Sequence, residues 1–158
     1  PDLGLNPAFL RVARLGMDEV MNSATGTARR SRIVREDWRM AGKTGTSQVR
    51  NITAAERARG VIRNDQLPWN RRDHALFVCY APFEAPRYVV SVVVEHGGGG
   101  SSVAAPVARD ILLYALAGGL PPLDAYPPGQ RDEIREMLAR MRLAPSPVAQ
   151  AGGGRARA

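Results

Sequence analysis

The spacing of hydrophobic positions changes several times along the chain, and each change marks an element. Phe9, Val12, Ala13, Gly16 and Val20 recur at helical spacing, which predicts a helix with that face packed into the core. Asn6 offers a capping side chain and Pro7 suits the first helical position, so the start of this helix is well defined. Ser23 to Ala28 has turn chemistry, and the basic run Arg29 to Arg35 follows it. From Trp38 to Val49 large and small residues alternate, as in a strand, with glycines that let another backbone or a ligand come close. Arg50 to Asp73 loses this pattern and becomes polar and arginine-rich, predicting a long loop with a helical turn at Thr53 to Arg59.

Two further strands are predicted, His74 to Ala81 and Arg87 to His96. The second holds the strongest β signal of the chain, Tyr88 to Val94, and Val89 to Val94 is read as core. The short Pro82–Pro86 link makes the pair an antiparallel hairpin. After the turn Gly97 to Gly100, Ser101 or Ser102 is expected to cap a helix through Val103, Val107, Ile111, Leu112, Tyr114 and Ala115, stopped by Gly118-Gly119. Arg131 to Arg142 reads as an amphipathic helix with Ile134, Met137, Leu138 and Met141 on one side. Pro145 to Ala158 is rich in Ala, Gly, Pro and Arg and is expected to be disordered. The fold class is α+β, an antiparallel sheet of three strands covered by helices. Residues 1–125 are expected to form the main globular portion, with a helix and tail over 126–158.

Composition narrows the function classes. A 44% hydrophobic content over 158 residues supports a core, and no stretch approaches the ~18 uncharged apolar residues of a membrane span. The formal charge is +7, yet Lys43 is the only lysine, and the arginines are scattered among acids, as in Arg131-Asp132-Glu133. That pattern describes solvated faces, so nucleic acid is not expected as a partner. The single cysteine, Cys79, permits no internal disulfide and lies in a strand-like apolar run, where a small buried residue is expected. His74 and His96 are far apart in sequence and are read as structural; neither a metal nor a cofactor is expected.

The sole lysine sits in Gly42-Lys43-Thr44-Gly45-Thr46-Ser47. A phosphate loop would need glycine at position 37, where Asp37 stands, and no glycine-rich turn precedes the lysine. An extended edge strand binding an acyl donor fits better. The ammonium supplies positive potential, hydroxyls take a substrate carboxylate, and a backbone amide helps hold the developing oxyanion. On such a strand Thr44 and Thr46 share one face, Lys43 points away from them, and Gly45 leaves room for the substrate backbone.

Met40 to Gln48, then the polar loop, Asp73 to Pro82, Val93-Val94-Glu95-His96-Gly97-Gly98-Gly99 and a Pro106-bearing helix resemble the C-terminal part of the class B penicillin-binding proteins, most of all the cell-elongation transpeptidases. Met21 to Ala28 agrees as the segment leading into the lysine strand, and the match runs from about Asn6 to Ala117. The resemblance implies part of a serine transpeptidase or β-lactamase-like domain. It implies DD-transpeptidation between peptidoglycan stem peptides ending in D-Ala-D-Ala, with β-lactams acylating the same serine. Lys43 and Thr46 would then be catalytic, and Thr44, Gly45, Thr46 and Ser47 would bind substrate. The implied partners include elongation-machinery membrane proteins such as a glycosyltransferase, and the implied location is the periplasmic face of the inner membrane. Neither of the family's other motifs occurs: S-x-x-K would need serine where Met40 stands, and no serine starts an S-x-N. The nucleophile is therefore expected upstream of Pro1 and this chain alone is expected to be inactive. The competing reading is a basic, non-catalytic binding module for an acidic partner.

Overall fold

The computed structural model describes residues 4–141. Helix α1 spans Pro7–Asn22 and opens as the sequence predicts, with the Asn6 side chain accepting from the Ala8 amide at 2.9 Å and proline in the first turn. Strand β1 is Ala41–Ser47, the short helix α2 is Ala54–Arg59, and strands β2 and β3 are His74–Ala81 and Tyr88–Val94. A π-helical turn, Gly100–Ala104, leads into α3, Ala105–Ala117, and α4 is Arg131–Arg140. The polar 50–73 stretch thus carries α2, capped by Thr53, and its Arg50–Glu56 ion pair closes at 2.6 Å. The expected disorder of Pro145 to Ala158 lies outside the described residues.

The sheet is antiparallel in the order β1-β2-β3. Its register pairs Lys43 with Val78, Thr44 with Phe77 and Thr46 with Ala75, then Phe77 with Val92 and Ala75 with Val94. Ala75, Phe77, Cys79 and Ala81 of β2 point to one side and are buried in the same core as Ala104, Ala105, Ala108, Leu112 and Leu113 from the α3 region. Small residues at 104, 105 and 108 let α3 lie close against the sheet. Packing continues past residue 125, because Tyr126 and Ile134 belong to this core too.

Three expectations are corrected. On α1, Phe9 and Val12 are 75% and 69% exposed and Ala13 and Gly16 are exposed as well; only Val20 packs on the core. The buried α1 residues are Asp18 and Met21, because only the last turns of the helix reach β1. On β3, Val89 and Val93 are 74% and 59% exposed while Val92 is buried, since this edge strand has helices on one side only. Neither Ser101 nor Ser102 caps α3. The chain enters through the π turn, and Ser102 Oγ instead donates to the Gly99 carbonyl at 3.3 Å. Val107 and Ile111 of α3, and Met137 and Met141 at α4, also lie at the surface, and Ile134 holds α4 in place.

Candidate active site

The lysine segment is β1 itself, an edge strand, so alternate backbone groups face away from β2 with no strand partner among the described residues. Gly42, Lys43 and Thr44 therefore sit in extended chain and not in the loop-to-helix turn a phosphate cradle needs. Lys43 is exposed, and its Nζ donates to the Thr44 carbonyl at 2.8 Å. Thr44 and Gly45 are half-buried, and Thr46 and Ser47 are exposed. The register puts Thr44 and Thr46 on the side of Phe77 and Ala75, and Lys43 on the opposite side with Val78. Gly42 is needed for a steric reason, because a Cβ there would lie 2.5 Å from Phe77 Cζ and 2.9 Å from Cys79 Cβ.

Several residues that hold this strand were not singled out by sequence reasoning. Asp18 of α1 accepts from Arg39 Nε at 2.8 Å and Nη2 at 2.7 Å, and from Asn22 Nδ2 at 2.7 Å. Asn22 Nδ2 also donates to the Met40 carbonyl at 3.0 Å, which ties the end of α1 to the residue before β1. Burial alone would raise the Asp18 carboxyl, but the hydrogen bonds from Arg39 and Asn22 outweigh it and hold it below its ordinary value. Arg39 is raised by the bond to Asp18, against the desolvation that would lower it. At the other end of β1, Asp73 Oδ1 accepts from the Val49 amide at 3.2 Å and Oδ2 from Asn64 Nδ2 at 3.1 Å. The Asp73 carbonyl accepts from the Gly98 amide at 2.8 Å, so one residue gathers the exit of β1, the 50–73 segment and the glycine-rich turn. Neither Asp18, on the side of the helix opposite the predicted apolar stripe, nor Asp73 carries a distinguishing signal in the sequence.

The two histidines, distant in sequence, meet with ring centroids 4.7 Å apart. Their Nδ1 atoms are engaged: that of His74 accepts from the His96 amide at 2.9 Å, and that of His96 bonds the Arg72 carbonyl at 2.9 Å. His96 has the left-handed φ of 55° and lies against the edge of Trp69 at 4.5 Å. Among the described residues no group of three or more His, Cys, Asp or Glu is placed to hold a metal. Cys79 is fully buried, and burial pushes its thiol up to about 12, so it has no nucleophilic character at neutral pH.

A family model described as the penicillin binding protein transpeptidase domain matches residues 9–113, a stretch that contains β1, the hairpin and most of α3. The chain belongs to the penicillin-binding protein transpeptidase family. It is 40% identical over 119 residues to the peptidoglycan D,D-transpeptidase MrdA of Haemophilus influenzae, covering 75% of this chain and 18% of that protein. Pseudomonas aeruginosa PBP2 in complex with WCK 5153 is similar with a TM-score of 0.54 and 37% identity, over 80% of this chain and 25% of that one. PBP2 of Helicobacter pylori, in a complex with MreC, gives a TM-score of 0.53 and 31% identity over 72% of this chain and 19% of that one. The chain thus spans about a fifth of the relatives' length. The three strands and their helices are a portion of the transpeptidase domain, and the α+β expectation holds.

Proposed function

We propose that this chain forms one wall of the acyl-transfer cleft of a peptidoglycan D,D-transpeptidase. The observation that carries this reading is the placement of Lys43-Thr44-Gly45-Thr46 on an open edge strand in a chain of this family. A serine hydroxyl, supplied by sequence outside this chain, attacks the penultimate D-Ala carbonyl of a stem peptide. Terminal D-Ala leaves with a proton, and the acyl group passes to the amine of a neighbouring stem; a β-lactam is attacked by the same hydroxyl. Lys43 provides positive potential and helps proton movement. The Thr44 and Thr46 hydroxyls bind the carboxylate of D-Ala or of the β-lactam, and the Thr46 amide donates to the oxyanion. Gly45 and Ser47 complete the strand edge along which the donor lies. A hydroxyl needs an adjacent base to act as nucleophile, and neither S-x-x-K nor S-x-N occurs here, so the isolated chain is expected to be inactive.

No helix among the described residues is long and apolar enough to cross a membrane. The proposed setting is the periplasmic face of the inner membrane, with stem peptides as substrates and elongation-machinery membrane proteins, a glycosyltransferase among them, as partners.

The test is a labelled β-lactam applied to a protein carrying this sequence together with its nucleophile-bearing portion. Acylation is expected there and not in the isolated chain, and Lys43→Ala is expected to abolish it. Normal acylation of the Lys43→Ala protein would overturn the assignment.

A further inference from the structure

A close backbone approach to β1 comes at the first residue of the π turn. Gly100 is buried, and a Cβ on it would stand 2.5 Å from the Gly45 carbonyl oxygen, 2.5 Å from the Leu76 carbonyl oxygen and 3.0 Å from the Gly45 nitrogen. All three are backbone atoms, and Gly45 and Leu76 are register partners, so the Gly100 Cα rests on the β1–β2 seam itself. A side chain here has no flexible neighbour to displace; it moves the strand or the turn.

The turn cannot easily retreat. Ala104, its last residue, and Ala105 just after it are fully buried, and so is Ala108 further along α3. On its other side Gly98 donates to the Asp73 carbonyl at 2.8 Å, and the Asp73 side chain holds Val49 just past the strand. The added atom would therefore push on β1 at Gly45, one residue before Thr46.

We propose that Gly100 is a positioning residue: by lacking a side chain it sets the height of β1 at Gly45 and thereby aims the Thr46 amide and hydroxyl at the acyl donor. This rests on the reading of β1 as the donor-binding strand. Reacting groups tolerate little displacement, and a shift of about 1 Å is enough to cost up to 10²-fold in rate. Nearby Gly99 is the natural comparison, because a Cβ there meets chiefly the Ser102 Oγ, a side-chain atom that can rotate away, at 2.7 Å, and no strand backbone.

The experiment measures β-lactam acylation in the protein that includes the nucleophile, recording both the rate constant and the fraction of molecules finally labelled. Gly100→Ala is expected to label fully but about tenfold or more slowly, while Gly99→Ala labels fully at close to the original rate. Where Gly100→Ala does not accumulate as folded protein, Ala104→Ser thickens the same buried turn by one oxygen atom and is expected to give the same slow, complete labelling. An unchanged rate constant in the variant that folds overturns the proposal, and so does a smaller labelled fraction at unchanged rate, which marks a purely structural role. Lys43→Ala in parallel separates the two readings. If it acylates normally the donor-strand assignment fails, whereas a normal rate in Gly100→Ala alone leaves that assignment standing.

Discussion

Asp18 carries a buried charge on a helix that exposes most of its apolar residues, and it is tolerated there because Arg39 and Asn22 satisfy both carboxylate oxygens. The direction of its shift fixes the pH dependence. Its carboxyl sits below the ordinary 3.8 in the folded chain, so the unfolded chain takes up the proton first. The stabilisation is fully present above the ordinary carboxylate range and is lost as acid carries the pH down through the folded value. Urea unfolding between pH 5 and pH 3 is expected to show a larger loss of stability in the wild-type chain than in Asp18→Asn, which has no proton to bind at that position. Equal losses would mean that the pair contributes nothing.

At the scale of elements, α3 is joined to the segment before α4 by a buried guanidinium. Arg109 is 3% exposed, donates to Asp110 Oδ1 at 2.8 Å and to Gln130 Oε1 at 2.7 Å, and lies 4.8 Å from the centre of the Tyr126 ring. Gln130 passes the connection on to the Arg30 carbonyl at 2.7 Å. Arg109→Ala is expected to destabilise the chain by about 2–3 kcal/mol, read by denaturant unfolding, because Gln130 and Asp110 lose a charged donor and Tyr126 loses its packing. The elements themselves were legible in the sequence. β-Branched density placed β3, the apolar and aromatic run Leu76 to Ala81 placed β2, and Asn6-Pro7 and Gly118 placed helix ends. What faces what was less legible. Helical spacing marks an apolar stripe but not whether anything covers it, which is why Phe9 and Val12 read as core and lie at the surface. Within the lysine strand the alternation of Lys43 against Thr44 and Thr46 followed from strand geometry alone. The residues that hold that strand, Asp18, Asp73 and Gly100, act across 25 to 55 positions of chain and leave no local pattern (Asp18 to Lys43 and Gly45 to Gly100, for example).

For the whole molecule, the described residues leave two surfaces uncovered besides the open edge of β1. One is the outer edge of β3 with Val89 and Val93 exposed beside it, and the other is the α1 stripe of Phe9, Leu10, Val12 and Leu15. An unpaired strand edge and a contiguous apolar helix face both favour association. The isolated chain is expected to show concentration-dependent oligomers in sedimentation velocity and a melting temperature that rises with concentration. A sharp melt of a monomer, independent of concentration, would contradict this.

The aromatic ring of Phe77 occupies the volume that any side chain at position 42 would need. These two positions, 35 residues apart, therefore form one unit of variation. A methyl group gained at 42 needs a smaller side chain at 77 and, with the Cys79 Cβ still only 2.9 Å away, a shift of β1 as well, so a drifting lineage holds both positions or moves the lysine strand.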